Sequence, residues 1–123
     1  MTKTRIGTVV MGASDVRRAA AFWKAALAYM EREPAKEDWV VLVPAEGHGV
    51  GLSLGRSGPD SPVQEVPRVH LDVYTEDQDG EVARLLGLGA SRVDWPHYPP
   101  DPDFVVLADT EGNRFCVIDT THG

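Results

Sequence analysis

The sequence contains one cysteine, Cys116, in 123 residues. A single thiol closes no internal disulfide, so the fold must rest on its own core, and such a chain fits a reducing compartment. Long apolar runs are also missing. No stretch approaches the ~20 apolar residues that cross a bilayer, and residues 1–11 are too polar for a secretory leader. A cytoplasmic protein with no membrane partner is expected. Basic residues are scarce: 12 Lys and Arg stand against 19 Asp and Glu, a formal charge of −7. That balance argues against nucleic acid as a partner, because phosphate binding needs clustered Lys and Arg. Hydrophobic residues make up 42% and charged residues 25%, which suits a globular domain without a long disordered tail. The length fits one domain, read as 1–123, or two closely packed halves.

What is present is a repeat. Trp39-Val40-Val41-Leu42 followed by Glu46-Gly47 returns as Phe104-Val105-Val106-Leu107 followed by Glu111-Gly112. Arg5-Ile6-Gly7-Thr8 leading into Asp15 has its counterpart in Arg68-Val69-His70-Leu71 leading into Asp77. A duplicated unit of strands, helix and hairpin follows, and two curved sheet units side by side are expected to form a concave trough. Module one spans about 5–54, a Gly-, Pro- and Ser-bearing linker about 55–67, and module two about 68–120.

Within module one, residues 6–11 predict a strand, Ser14 or Asp15 an N-cap, and 16–29 a helix with Ala19, Phe22, Trp23, Ala26 and Leu27 on one face. A weakly signalled strand near 30–32 precedes a hairpin of 39–43 and 50–54. In module two, 69–74 predicts a strand and Asp77 or Asp79 caps a helix ended by Gly87 and Gly89. A short strand at 93–95, a proline-rich loop at 96–103, and a final hairpin of 104–108 and 114–118 follow. Alternation puts Val69, Leu71 and Val73 under the helices, leaving His70, Asp72 and Tyr74 on the concave face. The same parity sends Phe115 and Val117 to the helix side and Arg114, Cys116 and Ile118 to the cavity. Trp39 and Phe104 are expected to plug matching core or cavity-floor positions.

The β-α-β-β-β duplication, the segment Asp15-Val16-Arg17-Arg18-Ala19-Ala20-Ala21-Phe22-Trp23, the segment Arg68-Val69-His70-Leu71-Asp72-Val73 and the ending from Phe104 to Val117 resemble the vicinal oxygen chelate superfamily. More narrowly they are similar to its glyoxalase-like branch, with glyoxalase I, bleomycin-resistance proteins and extradiol dioxygenases. The resemblance implies an α+β fold: two βαβββ modules forming a cupped, partly closed mixed sheet with helices outside. It also implies a homodimer. In metal-using members of that superfamily, ligands come from the first and last strand of each half. That pattern falls here on Thr8 and Gly51, and on His70 and Cys116. Only His70 is an ordinary ligand, so no metal and no other cofactor is expected; a divalent metal is disfavoured, and if present it would sit on His70 and Cys116.

Three functions remain open. The leading expectation is a metal-free protein that binds a small organic molecule in a cavity lined by Thr8, Trp39, His70, Asp72, Trp95, His97, Tyr98, Phe104, Arg114 and Cys116. The second is a glyoxalase-like lyase or isomerase in which His70 is the catalytic base, removing a proton beside a carbonyl, or the ligand of a divalent metal. The third is a zinc-like site on His70, Cys116 and water. Cys116 is read as an inert filler unless Arg114 lowers its pKa. His48 falls in an exposed turn, and His122 is given no role.

Overall fold

The computed structural model describes residues 3–58 and 61–123. Pro59 and Asp60, at the centre of the expected linker, and Met1 and Thr2 lie outside the described residues. The chain divides into two compact units, Met1–Pro62 and Val63–Gly123.

The first unit runs β1 (Thr8–Ala13), α1 (Val16–Leu27), β2 (Tyr29–Glu31), β3 (Trp39–Pro44) and β4 (Gly51–Arg56). Its four strands form one open sheet in the order β1-β4-β3-β2, with β1 and β4 parallel. The helix starts where expected because Asp15 accepts the Arg18 amide at 3.1 Å. Val16, Ala19, Ala20, Phe22 and Trp23 are buried along one face, and the helix packs on β2, β3 and β4. Ala26 and Leu27, expected on that face, are half-buried because they lie in the last turn. The helix ends at Ala28, which takes a left-handed conformation at φ 56° and donates its amide to the Lys24 carbonyl. A Cβ in that conformation costs about 1 kcal/mol, and glycine is free of that cost. Ala28→Gly should therefore stabilise the protein by about 1 kcal/mol, read as a raised urea midpoint at unchanged slope.

The second unit repeats the order: β5 (Leu71–Thr75), α2 (Gln78–Leu88), β6 (Ser91–Arg92), β7 (Phe104–Ala108) and β8 (Arg114–Asp119). Its sheet is β5-β8-β7-β6, again open, again with the first and last strands parallel. The protein is thus α+β, with two four-stranded mixed sheets and one helix in each unit. Asp77, not Asp79, caps α2 by accepting the Gly80 amide at 3.1 Å. Gly89, at φ 121°, closes it, while Gly87 lies inside the helix.

Two expectations fail locally. The short strand falls at Ser91–Arg92 and not at 93–95, because Gly89 returns the chain to β7 at once and only Ala108 and Leu107 offer partners. Strand β5 begins at Leu71, so Val69 precedes the ladder and is 80% exposed instead of packing under the helix. The remaining parity holds: Leu71 and Val73 are half-buried, Asp72 and Tyr74 exposed, and Phe115 and Val117 fully buried.

Candidate functional site

In the second unit, β5 and β8 run parallel with Asp72 opposite Cys116 and Tyr74 opposite Ile118. On its other side β8 pairs with β7, placing Cys116 opposite Val106 and Ile118 opposite Phe104. These registers bring one row of side chains together above the sheet. A cavity of about 570 Å³ opens there, lined by His70, Asp72, Cys116 and Arg114 and by the rings of Trp95, His97 and Phe104. That volume lies in the range of small-molecule sites.

His70 Nδ1 lies 3.2 Å from Asp72 Oδ1, and both side chains are 43% exposed. Cys116 adjoins the same carboxylate. Its thiol is pushed up to about 11, first by burial, then by the Asp72 charge and a hydrogen bond to Asp72. Arg114 does not activate it, and the neutral thiol dominates at physiological pH. Relative to an unperturbed thiol at 9.0, about 100-fold less thiolate exists at pH 7.5. Iodoacetamide should accordingly label Cys116 about 100-fold more slowly than a free thiol at that pH, with the rate climbing until the pH passes about 11. Asp72→Asn removes the charge and should speed labelling; an unchanged rate would separate Cys116 from Asp72.

The donor atoms of His70, Asp72 and Cys116 lie within 4.8 Å of one another. Only Asp72 carries negative charge near neutral pH. A hard divalent ion takes six or more oxygens, most of them carboxylate, carbonyl or water, and this set supplies one carboxylate. A thiophilic ion would have to displace the thiol proton, which burial and Asp72 hold up to about 11 in the metal-free site. One imidazole, one carboxylate and one neutral thiol fall short of the oxygen set that a hard divalent ion takes.

The counterpart positions in the first unit differ from the expectation in one residue. Val41 and Val106 match in the repeat; Val41 faces Ser53 as Val106 faces Cys116. Ser53, not Gly51, is the equivalent of Cys116, because the first hairpin has a longer turn that shifts the match by two residues. Gly51 pairs with Thr8 instead. Ser53 is fully buried, and its hydroxyl shares a 2.8 Å hydrogen bond with Thr8 Oγ1. The first unit thus offers two neutral hydroxyls, already satisfied by each other.

Three residues expected to touch a ligand make contacts within the protein outside the lining of this cavity. Thr8 belongs to this hydroxyl pair. Trp39 is 38% exposed on the first sheet, its ring laid over Gly55, its partner across the ladder. It does not plug a core; the ring lies against Gly55, where an added Cβ would meet it at 3.1 Å and push it aside slightly. Tyr98 is absent from the cavity lining. Its hydroxyl accepts the Val106 amide at 2.8 Å and its ring lies 5.2 Å from Phe104, so it seals the edge of β7 beyond the short β6. Trp95 and His97 meet edge to face at 5.2 Å on the cavity wall.

Sequence reasoning passed over several supporting residues. Gln78 donates to the carbonyls of Asp103 and Val117, fastening α2 to the loop before β7 and to β8. Asp109 is buried and accepts the amides of Glu111 and Asn113, each at 2.9 Å, which shapes the turn into Arg114. The D-x-E-G-N run was the available signal, since Asp at a turn caps its own following amides. His122 has a partner after all, with Nε2 at 3.2 Å from Asp101 in the proline-rich loop. His48 is exposed in its turn.

No helix among the described residues is long and apolar enough to cross a membrane. No curated protein matches the sequence. Among solved structures, a protein from Agrobacterium tumefaciens superposes with TM-score 0.73 at 19% identity, covering 94% of this chain and 96% of that one. A glyoxalase/bleomycin resistance protein/dioxygenase family enzyme from Burkholderia phytofirmans gives 0.70 at 16% identity, with 93% and 97% covered. The fosfomycin resistance protein FosX from Listeria monocytogenes, solved with Mn(II) and dihydroxypropylphosphonic acid, gives 0.72 at 13% identity, with 96% and 91% covered. At such identities the likeness is one of fold. The sequence itself matches the glyoxalase-like domain over residues 8–118. With the duplicated modules already described, this match settles the family: the chain belongs to the glyoxalase-like domains of the vicinal oxygen chelate superfamily.

Proposed function

We propose that the protein binds a small organic molecule in the cavity of its second unit and does so without a resident metal. The observation that carries this reading is the cavity itself: about 570 Å³, with aromatic walls and a few convergent polar groups. Its donor set supports the metal-free part, since it holds one carboxylate, which already contacts His70, where a hard ion takes several oxygens. Thermal-shift screening against aromatic acids, natural products and thiol conjugates should find stabilising compounds. Metal analysis of protein purified without added metal should find no stoichiometric ion, and a chelator should leave the melting temperature unchanged. One tightly held ion per chain would overturn the metal-free reading. Uniform silence across the screen would overturn binding.

The His70–Asp72 contact favours a second reading, a glyoxalase-like lyase or isomerase with His70 as base. With Nδ1 turned to the carboxylate of Asp72, Nε2 is left facing away from it and free to accept a proton. General bases contribute roughly 10²- to 10⁴-fold to rate. On a substrate that the protein turns over, His70→Gln should lose about 100-fold or more in kcat, and full retention would exclude proton abstraction by His70. Homodimerisation and cytoplasmic residence belong to the same proposal. They are supported by the family and the single cysteine, and sedimentation equilibrium tests the former.

A further inference from the structure

Arg114 lines the cavity at the start of β8, and its positive charge is unanswered. Its Nε is buried without an acceptor, and its one hydrogen bond runs from a terminal nitrogen to the Gly112 carbonyl at 3.3 Å. No carboxylate among the described residues lies within ion-pair distance of the guanidinium. A half-buried cation in that condition is costly unless a counter-charge arrives.

Polarity along β8 shows where such a charge would sit. Arg114, Cys116 and Ile118 share one face, so the cavity floor passes from a cation to a neutral thiol to an alkyl group over about 13 Å. The register deepens this gradient. At the apolar end Ile118 is flanked by Phe104 and Tyr74, both cavity-lining. Asp72 and Asp103 also line the cavity, and two carboxylates oppose a second negative charge on whatever Arg114 holds. A doubly charged phosphate is therefore disfavoured. A monoanion whose planar carboxylate matches the guanidinium fork is favoured.

Building on the binding reading above, the geometry points to an aryl carboxylate with a short spacer as the ligand class: carboxylate on Arg114, ring between Phe104, Tyr74 and Ile118. The test uses 4-phenylbutyrate and 2-naphthylacetate, each against its neutral primary amide, with isothermal titration. The wild-type protein should bind each acid at least about tenfold more tightly than its amide. Arg114→Gln should erase that preference while keeping amide affinity, and Arg114→Lys, which keeps charge but loses the fork, should retain part of it. Phe104→Ala should weaken acid and amide equally. Should Arg114→Gln fail to fold, the wild-type acid-to-amide ratio and the Lys variant still decide. Equal affinities for acid and amide, a preference unchanged in the Arg114 variants, or no binding of either acid would overturn the assignment. Other compounds stabilising the protein in the screen would then leave the broader binding reading standing.

Discussion

Trp23→Ala is expected to cost about 3–5 kcal/mol of stability, the largest single-residue effect in the first unit. Trp23 has no exposed surface, and its ring meets Phe22 edge to face at 5.1 Å. It stands on the face of α1 that packs on β2, β3 and β4, so its removal leaves a void beneath three strands. Val16 and Ala19 on the same helix face and Leu42 and Leu54 on β3 and β4 are themselves buried, the last two tied into a backbone ladder. They can close only part of such a void. Urea denaturation should show a lower midpoint with an unchanged slope. Trp39→Ala is the control of the same chemistry: its ring is 38% exposed over Gly55, so its loss should cost less than half as much. A Trp23→Ala loss below about 1 kcal/mol would refute the packing described for α1.

The two tryptophans show what the sequence could and could not convey. Trp23 sits in a helical stripe with Val16, Ala19 and Phe22, and that spacing specifies a buried face without help from tertiary structure. Trp39 opens a strand, where alternation tells which face a residue takes but not whether anything covers that face. Its fate depends on Gly55, its cross-ladder partner, and pairing register is not written in local pattern. The same limit explains Gly51 and Ser53. They are two residues apart on one strand, so they share a face, and no hydrophobic pattern distinguishes a slip between them. Only the ladder from Val41 does. Strand parity places Asp72 and Cys116 on one side, and His70, just before β5, joins them through its 3.2 Å contact with Asp72. Their common neighbour relation is a different matter: that Asp72 stands opposite Cys116 and holds the thiol proton follows from the parallel pairing of β5 with β8. The contact of Tyr98 with β7 is not legible in the sequence, because a loop aromatic beside a cavity and a loop aromatic sealing a strand edge have the same sequence signature. Its hydroxyl contact with the Val106 amide is a long-range outcome of the loop path.

Asp109→Ala is expected to cost on the order of 3 kcal/mol and to weaken carboxylate binding at a distance from the ligand. The buried Asp109 Oδ1 accepts two backbone amides, from Glu111 and Asn113, and Oδ2 stands 3.4 Å from the Asn113 side-chain amide. Alanine would strand those amides in a turn whose residues are half-buried, and each unsatisfied donor costs about 1–3 kcal/mol. The turn also bears on the site. Gly112 adopts φ 88° within it and presents the carbonyl that receives the Arg114 guanidinium. Loosening the turn frees Arg114 from its one internal hydrogen bond and lets the cation swing, so a ligand must then bear the entropy of fixing it. Asp109→Asn keeps the carbonyl oxygen that accepts both amides and should lose only about 1 kcal/mol, with acid affinity nearly intact. Stability by urea denaturation and affinity for 4-phenylbutyrate therefore fall together in Asp109→Ala and are both largely kept in Asp109→Asn. If Asp109→Ala lost stability but kept its full acid-over-amide preference, Arg114 would be held by the cavity wall and not by the turn that leads into it.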